Sequence, residues 1–256
     1  MAEFPKVLVV ANQKGGVGKT ATAVNVAAGL AAMQRRTLFV DLDPQGNATS
    51  TLGGRGRNPG GYEVLFGGTA LGDATYPSGR EALDVVPASE DMAALEVELA
   101  GRKDRDRMLE AAFGNAVQAY AFVVVDCPPT LGLLTLNGLM VADEVIVPVQ
   151  CEYLALEGLS HFVATLDRVG VARGGYPVKR RYLMTMYDRR TNLSHDVVRD
   201  VRKHFGDDVV RFVIPRTVRL AEAPGFQRTI FEHDPAGAGA LAYRMLSEEI
   251  CNGISA

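Results

Sequence analysis

The feature that most constrains this chain is a short run near its beginning. A valine-rich segment, Val7 to Ala11, is followed by QKGGVGKT, Gln13 to Thr20, and then by an alanine-rich stretch of helical length. Successive backbone N–H groups around Gly15, Gly16, Val17 and Gly18 can wrap a phosphate, because glycine permits close approach and positive φ. A helix starting near Lys19 adds its positive dipole end, Lys19 adds a point charge for β/γ-phosphates, and Thr20 offers a hydroxyl to Mg²⁺. Ala21 continues the same turn. The common spacing GxxxxGK[ST] asks for glycine at position 13, where this chain has Gln13, and a second lysine, Lys14, heads the loop. The pattern predicts nucleotide binding between a strand and a helix.

Such a loop belongs to a parallel sheet, and the rest of the chain agrees. Apolar runs of strand length recur at Val7 to Ala11, Thr37 to Val40, Leu83 to Val86, Phe122 to Val125, Val145 to Val149, Tyr182 to Met186 and Val209 to Ile214. Most are valine-rich without polar alternation, as strands buried on both faces are. Helix-length segments separate them: Lys19 to Gln34, about Met92 to Val117, Leu133 to Val141, Leu154 to Val169, Ser194 to Phe205 and Gly239 to Cys251. Strand then helix, repeated without a linker or repeat unit, predicts one α/β domain over residues 1–256. It would be a doubly wound, mostly parallel sheet with helices on both faces, the P-loop NTPase fold. In such sheets ligands lie beyond the carboxyl ends of the strands.

Two further strand ends carry carboxylates. VDLDPQGNATS places Asp41 and Asp43 after the second apolar run, and FVVVDCPPT ends in Asp126. Three aspartates at parallel strand ends beside a phosphate loop suit a Mg²⁺ shell and an attacking water. Composition sets the outer limits. With 47% hydrophobic and 22% charged residues the chain can bury a large core, which excludes disorder and disulfide scaffolds. The longest uncharged stretch, Cys127 to Ala142, is interrupted by two prolines and falls short of the roughly 20 apolar residues of a membrane helix. MAEFPKVLVV does not read as a signal peptide, so a cytoplasmic protein is expected. Cys127, Cys151 and Cys251 fit no disulfide or metal spacing and are assigned no role; the four histidines likewise read as structural. Charge is uneven: Arg173 to Arg228 holds 13 Lys and Arg against 6 Asp and Glu, a net +7 in a chain of net −3. RKDRDR, Arg102 to Arg107, is balanced in sign and reads as a solvated helix face.

KGGVGKT, DLDPQGNATS and DCPP together resemble the deviant Walker A ATPases. The blocks VPVQCEYLALEGL (Val147 to Leu159), TMYDRRTNL (Thr185 to Leu193) and VIPRTVRLAEAP (Val213 to Pro224) are similar to those of the chromosome and plasmid partition ATPases, ParA or Soj. The resemblance covers roughly Val7 to Tyr243. It departs at Ala21, where a third threonine is frequent, at Thr217, where asparagine is frequent, and at Gln227-Arg228, often Gly-Lys. With few residues before the loop, it looks like the short chromosomal form. The resemblance implies an ATP- and Mg²⁺-dependent ATPase that forms a homodimer on ATP binding, with Lys14 reaching the partner's phosphates. It implies that Asp43 orients the attacking water, that Thr20, Asp41 and Asp126 support the metal, and that Met186 and Pro215 lie near the adenine. Arg190 and Arg219 match positions used on DNA backbone, so non-specific double-stranded DNA, a ParB/Spo0J-like centromere-binding partner and a nucleoid location follow. A membrane-positioning ATPase resembling MinD is the alternative; it needs a basic amphipathic tail, and MLSEEICNGISA carries two glutamates and no lysine or arginine. A metal-cluster reductase or cobyrinate-type amidating enzyme on the same fold is the other.

Overall fold

The computed structural model describes residues 5–153, 155–176 and 178–253. Among them seven strands form one sheet: β1 (Lys6–Val10), β2 (Thr37–Asp41), β3 (Tyr76–Arg80), β4 (Leu83–Val86), β5 (Phe122–Asp126), β6 (Glu144–Gln150) and β7 (Lys179–Thr185). Their order is β3-β4-β2-β5-β1-β6-β7, and only β3 is antiparallel to its neighbour. The connecting helices are α1 (Lys19–Ala32), α2 (Asn47–Thr51), α3 (Gly61–Leu65), α4 (Leu95–Glu98), α5 (Met108–Phe113) and α6 (Leu133–Val141). They continue with α7 (Ala155–Ala172), α8 (Asn192–Phe205), α9 (Val218–Glu222), α10 (Ile230–His233) and α11 (Ala238–Cys251). The doubly wound, mostly parallel architecture expected from the strand-helix alternation is present.

The strands are apolar throughout because the sheet is covered twice. Along β1, Leu8 and Val10 point to a core shared with Ala23, Val26 and Leu30 of α1 and Tyr243 and Leu246 of α11. Val7 and Val9 point the other way, to a core with Leu134 and Leu139 of α6 and Phe162 and Leu166 of α7. The period of two along a strand thus feeds both layers, each buried side chain contributing about 1.5–3 kcal/mol. The crossover helices α1 and α6 leave β1 and β5 on opposite faces, so the C-terminal ends of these neighbouring strands open a crevice. Gly138 lets α6 approach the sheet, since a Cβ there would stand 2.9 Å from Cys127 Sγ. That buried thiol fills core space, and all three cysteines are free.

α11 is a core helix of the α1 layer. Tyr243 Oη meets Thr22 Oγ1 at 3.1 Å, and Ser247 faces Gly29, where no Cβ would fit. Behind it, Asn25 Oδ1 accepts the Ile230 amide at 2.8 Å. No helix among the described residues is long and apolar enough to cross a membrane.

Three expectations need correction. The long helix expected over Met92 to Val117 is instead a 3-10 turn (Glu90–Ala94), α4 and α5, with exposed turns at 101–107, so RKDRDR is solvated without being helical. Tertiary contact overrides helix propensity: Asn137 of α6 accepts the Leu109 amide at 3.0 Å and donates to Arg105 O at 2.8 Å, fixing where α5 begins. The run Val209 to Ile214 forms no strand. Val210 and Ile214 donate to Tyr182 O and Met184 O, four residues spanning two, so the intervening backbone loops away. β3 was not expected, because YPSGR with Pro77 and Gly79 lacks strand character and is tolerated only at an edge. The segment expected as a helix from Leu154 begins at Ala155 among the described residues; Leu154 itself lies outside them.

Candidate nucleotide site

Beyond β1 the chain turns through the glycine loop into α1. Gly16 and Gly18 have φ of 73° and 89°, the left-handed region, so glycine is required there by backbone conformation. A Cβ at Gly15, Gly16 or Gly18 would meet nothing within 4 Å, so the concave side of the loop is open. Gly18 is the N-cap of α1 and no side chain caps the helix. Its first-turn amides therefore face that opening together with the positive end of the helix dipole. The loop is tied down from behind. Asn12 Nδ2 donates to Pro148 O at 2.7 Å while its Oδ1 accepts the Lys14 amide at 3.1 Å. Thr185 Oγ1, at the end of β7, donates to Val17 O at 2.9 Å. Lys19 Nζ, largely buried, donates to Lys14 O at 2.9 Å, which holds the ammonium under the loop. Burial lowers the Lys19 pKa, and the Asp126 and Asp43 carboxylates oppose that shift.

The carboxylates converge because β2 and β5 are neighbours in register, Asp41 opposite Asp126. Both are fully buried. Asp41 spends its oxygens internally: Oδ1 accepts the Asp43 amide at 3.0 Å, and Oδ2 accepts the Thr49 amide at 2.8 Å and hydroxyl at 2.7 Å. Thr49 Oγ1 in turn accepts the Ala88 amide at 2.8 Å. What the structure gives Asp41 is the orientation of the Asp43 turn, which Gln45 N and Gly46 N close on Asp43. Asp126 is the opposite case. Neither of its oxygens has a hydrogen-bond partner, although the Thr20 hydroxyl lies close enough to stabilise its charge. Burial first, and the Asp41 carboxylate second, push its pKa well above the usual range. An unsatisfied buried carboxylate beside a hydroxyl and an ammonium is the chemistry of a divalent-cation support. Among the described residues no cluster of three His, Cys, Asp or Glu could hold a metal by itself. Thr20 and Asp126 therefore fit a Mg²⁺ that keeps waters and phosphate oxygens as its other ligands.

From Gly18 and Ala21 a cleft of about 1220 Å³ runs outward between two chain segments, Thr185–Arg190 and Ile214–Ala221. Met186 and Pro215 both line it, joined by the bridge between Tyr187 and Pro215. Met186 has φ 52°, a strained conformation for a non-glycine residue, at the point where β7 ends and the cleft wall starts. Arg190 lines the outer lip, whereas Arg219 lies on α9 outside the lining. The other basic candidates are paired within the chain: Lys14 with Glu152, Arg190 with Asp188, Arg219 with Glu222.

Sequence reasoning missed Asn12, Thr49 and Glu152. Asn12 adjoins the phosphate loop, where a flanking polar residue was the available signal, whereas Thr49 lies eight positions beyond Asp41 in the same block. Glu152 is 138 positions from Lys14, and nothing local announces the pair.

A family model described as an AAA domain matches residues 5–173. The chain is similar to the chromosome partitioning protein ParA of Myxococcus xanthus, 43% identical over 251 residues, 97% of this chain and 89% of that one. It is similar to the chromosome-partitioning ATPase Soj of Thermus thermophilus, 48% identical over 246 residues, 95% of this chain and 94% of that one. Among solved structures it resembles the cobyrinic acid a,c-diamide synthase of Mycobacterium smegmatis with bound ADP and magnesium, with a TM-score of 0.84 and 36% identity, covering 97% of this chain and 94% of that one.

Proposed function

Because the chain belongs to the ParA/Soj family of chromosome-partitioning proteins, we propose that it is a Mg²⁺-dependent ATPase that dimerises on ATP, binds DNA without regard to sequence and is stimulated by a ParB-like partner. The observation that carries the reading is the open glycine loop on the uncapped end of α1, with the unpartnered Asp126 carboxylate behind Thr20 and Lys19. The loop amides and Lys19 hold the β- and γ-phosphates, and the base lies in the cleft against Met186 and Pro215. Thr20 and Asp126 would hold a Mg²⁺, which when bound would supply positive charge to the phosphate oxygens. Asp43, kept in place by Asp41, orients the attacking water. Lys14 leaves Glu152 and reaches the phosphates of the second subunit, an electrostatic contribution of the arginine-finger kind. Arg190 and Arg219 meet DNA phosphates.

The structure named as a diamide synthase favours a second reading, ATP-driven amidation of a corrinoid carboxylate. The experiment that separates them is duplex-DNA retention with Mg·ATP, Mg·ADP and no nucleotide, run beside an ammonia- or glutamine-dependent amidation assay on cobyrinic acid. Retention only with ATP, equal for scrambled duplexes, supports the partition reading. DNA binding indifferent to nucleotide, or amidation without DNA binding, overturns it.

A further inference from the structure

The two arginines assigned to DNA are each clamped by a carboxylate of their own segment. Arg190 makes a two-pronged pair with Asp188, Nε to Oδ1 at 2.9 Å and Nη2 to Oδ2 at 2.7 Å, and its amide also donates to Oδ1 at 3.0 Å. These bonds hold the Asp188 carboxyl well below its usual range, with Arg216 adding to the effect. Arg219 Nη1 donates to Glu222 Oε2 at 3.1 Å, one helical turn along α9. Glu222 has a second neighbour. The same Oε2 lies 3.5 Å from Nε2 of His233, a ring stacked on Phe226 and only 10% exposed at its side chain. Both guanidinium groups are nevertheless outward, with side chains 82% and 61% exposed. A short carboxylate at each base therefore occupies part of the fork that a phosphate would take. Arg189 and Arg216, on the same two segments, show no side-chain pair among the described residues.

Resting on the DNA-binding reading, we propose that Asp188 and Glu222 are built-in competitors for DNA phosphate, which set the affinity of this surface low enough for rapid release. A phosphate must displace the carboxylate or share the guanidinium with it, and the displaced carboxylate then stands as a like charge beside the backbone. Neutralising the carboxylate removes both penalties. Because Asp188 also lines the nucleotide cleft and Glu222 does not, Glu222 is the cleaner probe.

The test measures the binding of a random-sequence duplex, with Mg·ATP, to wild type, Glu222→Gln, Arg219→Gln and the double variant, across 50–200 mM salt. Glu222→Gln should bind about 1.5- to 5-fold tighter at low salt, the equivalent of one exposed ion pair no longer broken. Its log–log salt slope should steepen by up to about 0.9, one further phosphate neutralised. The gain should vanish in the Arg219→Gln background, which a general effect of added positive charge would not do. Asp188→Asn should act the same way through Arg190. If wild type binds DNA and Glu222→Gln binds equally or more weakly, or if the gain survives without Arg219, the competitor role is wrong. If wild type binds no DNA at all, the DNA reading itself fails first.

Discussion

Arg181 and Glu144 form a charged pair inside the sheet at the end remote from the phosphate loop, and removing one partner should cost heavily. Glu144 opens β6 and is fully buried; Arg181 on β7 is 6% exposed as a residue and reaches both Glu144 and Glu249 of α11. Lys6 of β1 lies 2.6 Å from Glu144 and Lys179 lies 3.8 Å away. Arg181→Met keeps the apolar stem and deletes the guanidinium, leaving Glu144 to Lys6 and Lys179. Breaking a buried pair from one side costs about 3–5 kcal/mol, and the remaining lysines place this site near 3. For a chain of this size that is a fall of roughly 6–12 °C in Tm. Urea unfolding at pH 7.5 reads it as a lower midpoint at unchanged slope. The pH dependence gives an independent check. Burial raises the Glu144 pKa, but Arg181 and Lys6 outweigh it and hold the carboxyl below its usual range. A depressed folded pKa contributes stability that is present above the unfolded value near 4.5 and is lost as pH falls through the folded one. Without Arg181 that contribution weakens, so the deficit should hold from neutral pH down to about 4.5 and shrink as pH falls below it. Adding Glu144→Gln should restore part of the loss, because it removes the buried charge that has lost its guanidinium while Lys6 and Lys179 lose their carboxylate. A deficit under about 1 kcal/mol at pH 7.5, or one that stays equal from pH 7.5 down to about pH 3, would refute this account.

Other expectations concern the site. Asp43→Ala should bind a fluorescent ATP analogue within about threefold of wild type yet lose at least about 100-fold in phosphate release, as the loss of a water-orienting group does. Lys19→Ala should abolish measurable nucleotide binding in a titration, whereas Lys14→Ala should retain it and lose ATP-dependent dimer formation on sizing. A Lys14→Ala protein that dimerises and hydrolyses normally would return Lys14 to its pair with Glu152. Gly18→Ala forces a side chain into the left-handed region at about 1–2 kcal/mol, so nucleotide affinity should drop roughly 5- to 30-fold by the same titration.

Much of the site was legible because it is local. Gln13 to Thr20 lie on one turn, and Asp41 and Asp126 close apolar runs that could only be buried parallel strands. The pairing of those aspartates needed strand order, which the alternation of elements implies without fixing. What was illegible was long-range or conformational. Asn137 fixing the start of α5, Glu144 meeting Arg181, and Lys14 meeting Glu152 depend on residues dozens of positions apart. β3 contradicts its own composition and survives through its place at an edge. The Arg190 clamp was within reach, since Asp188 stands two residues away, but only the orientation of the fork shows that the pair forms. Gln227, a departure from the family's glycine, adopts φ 53°, which explains the preference it breaks.

The contact between α1 and α11 also governs the order in which this molecule can be made. The glycine loop leads into α1, whose Thr22, Asn25 and Gly29 are covered by Tyr243, Ile230 and Ser247, more than 200 positions later. Contacts of such separation form last in folding. A nascent chain stalled near residue 175 would display the phosphate loop with one flank of α1 bare. The helix that follows the glycine loop thus reaches its final packing only after residues 230–247 have been made.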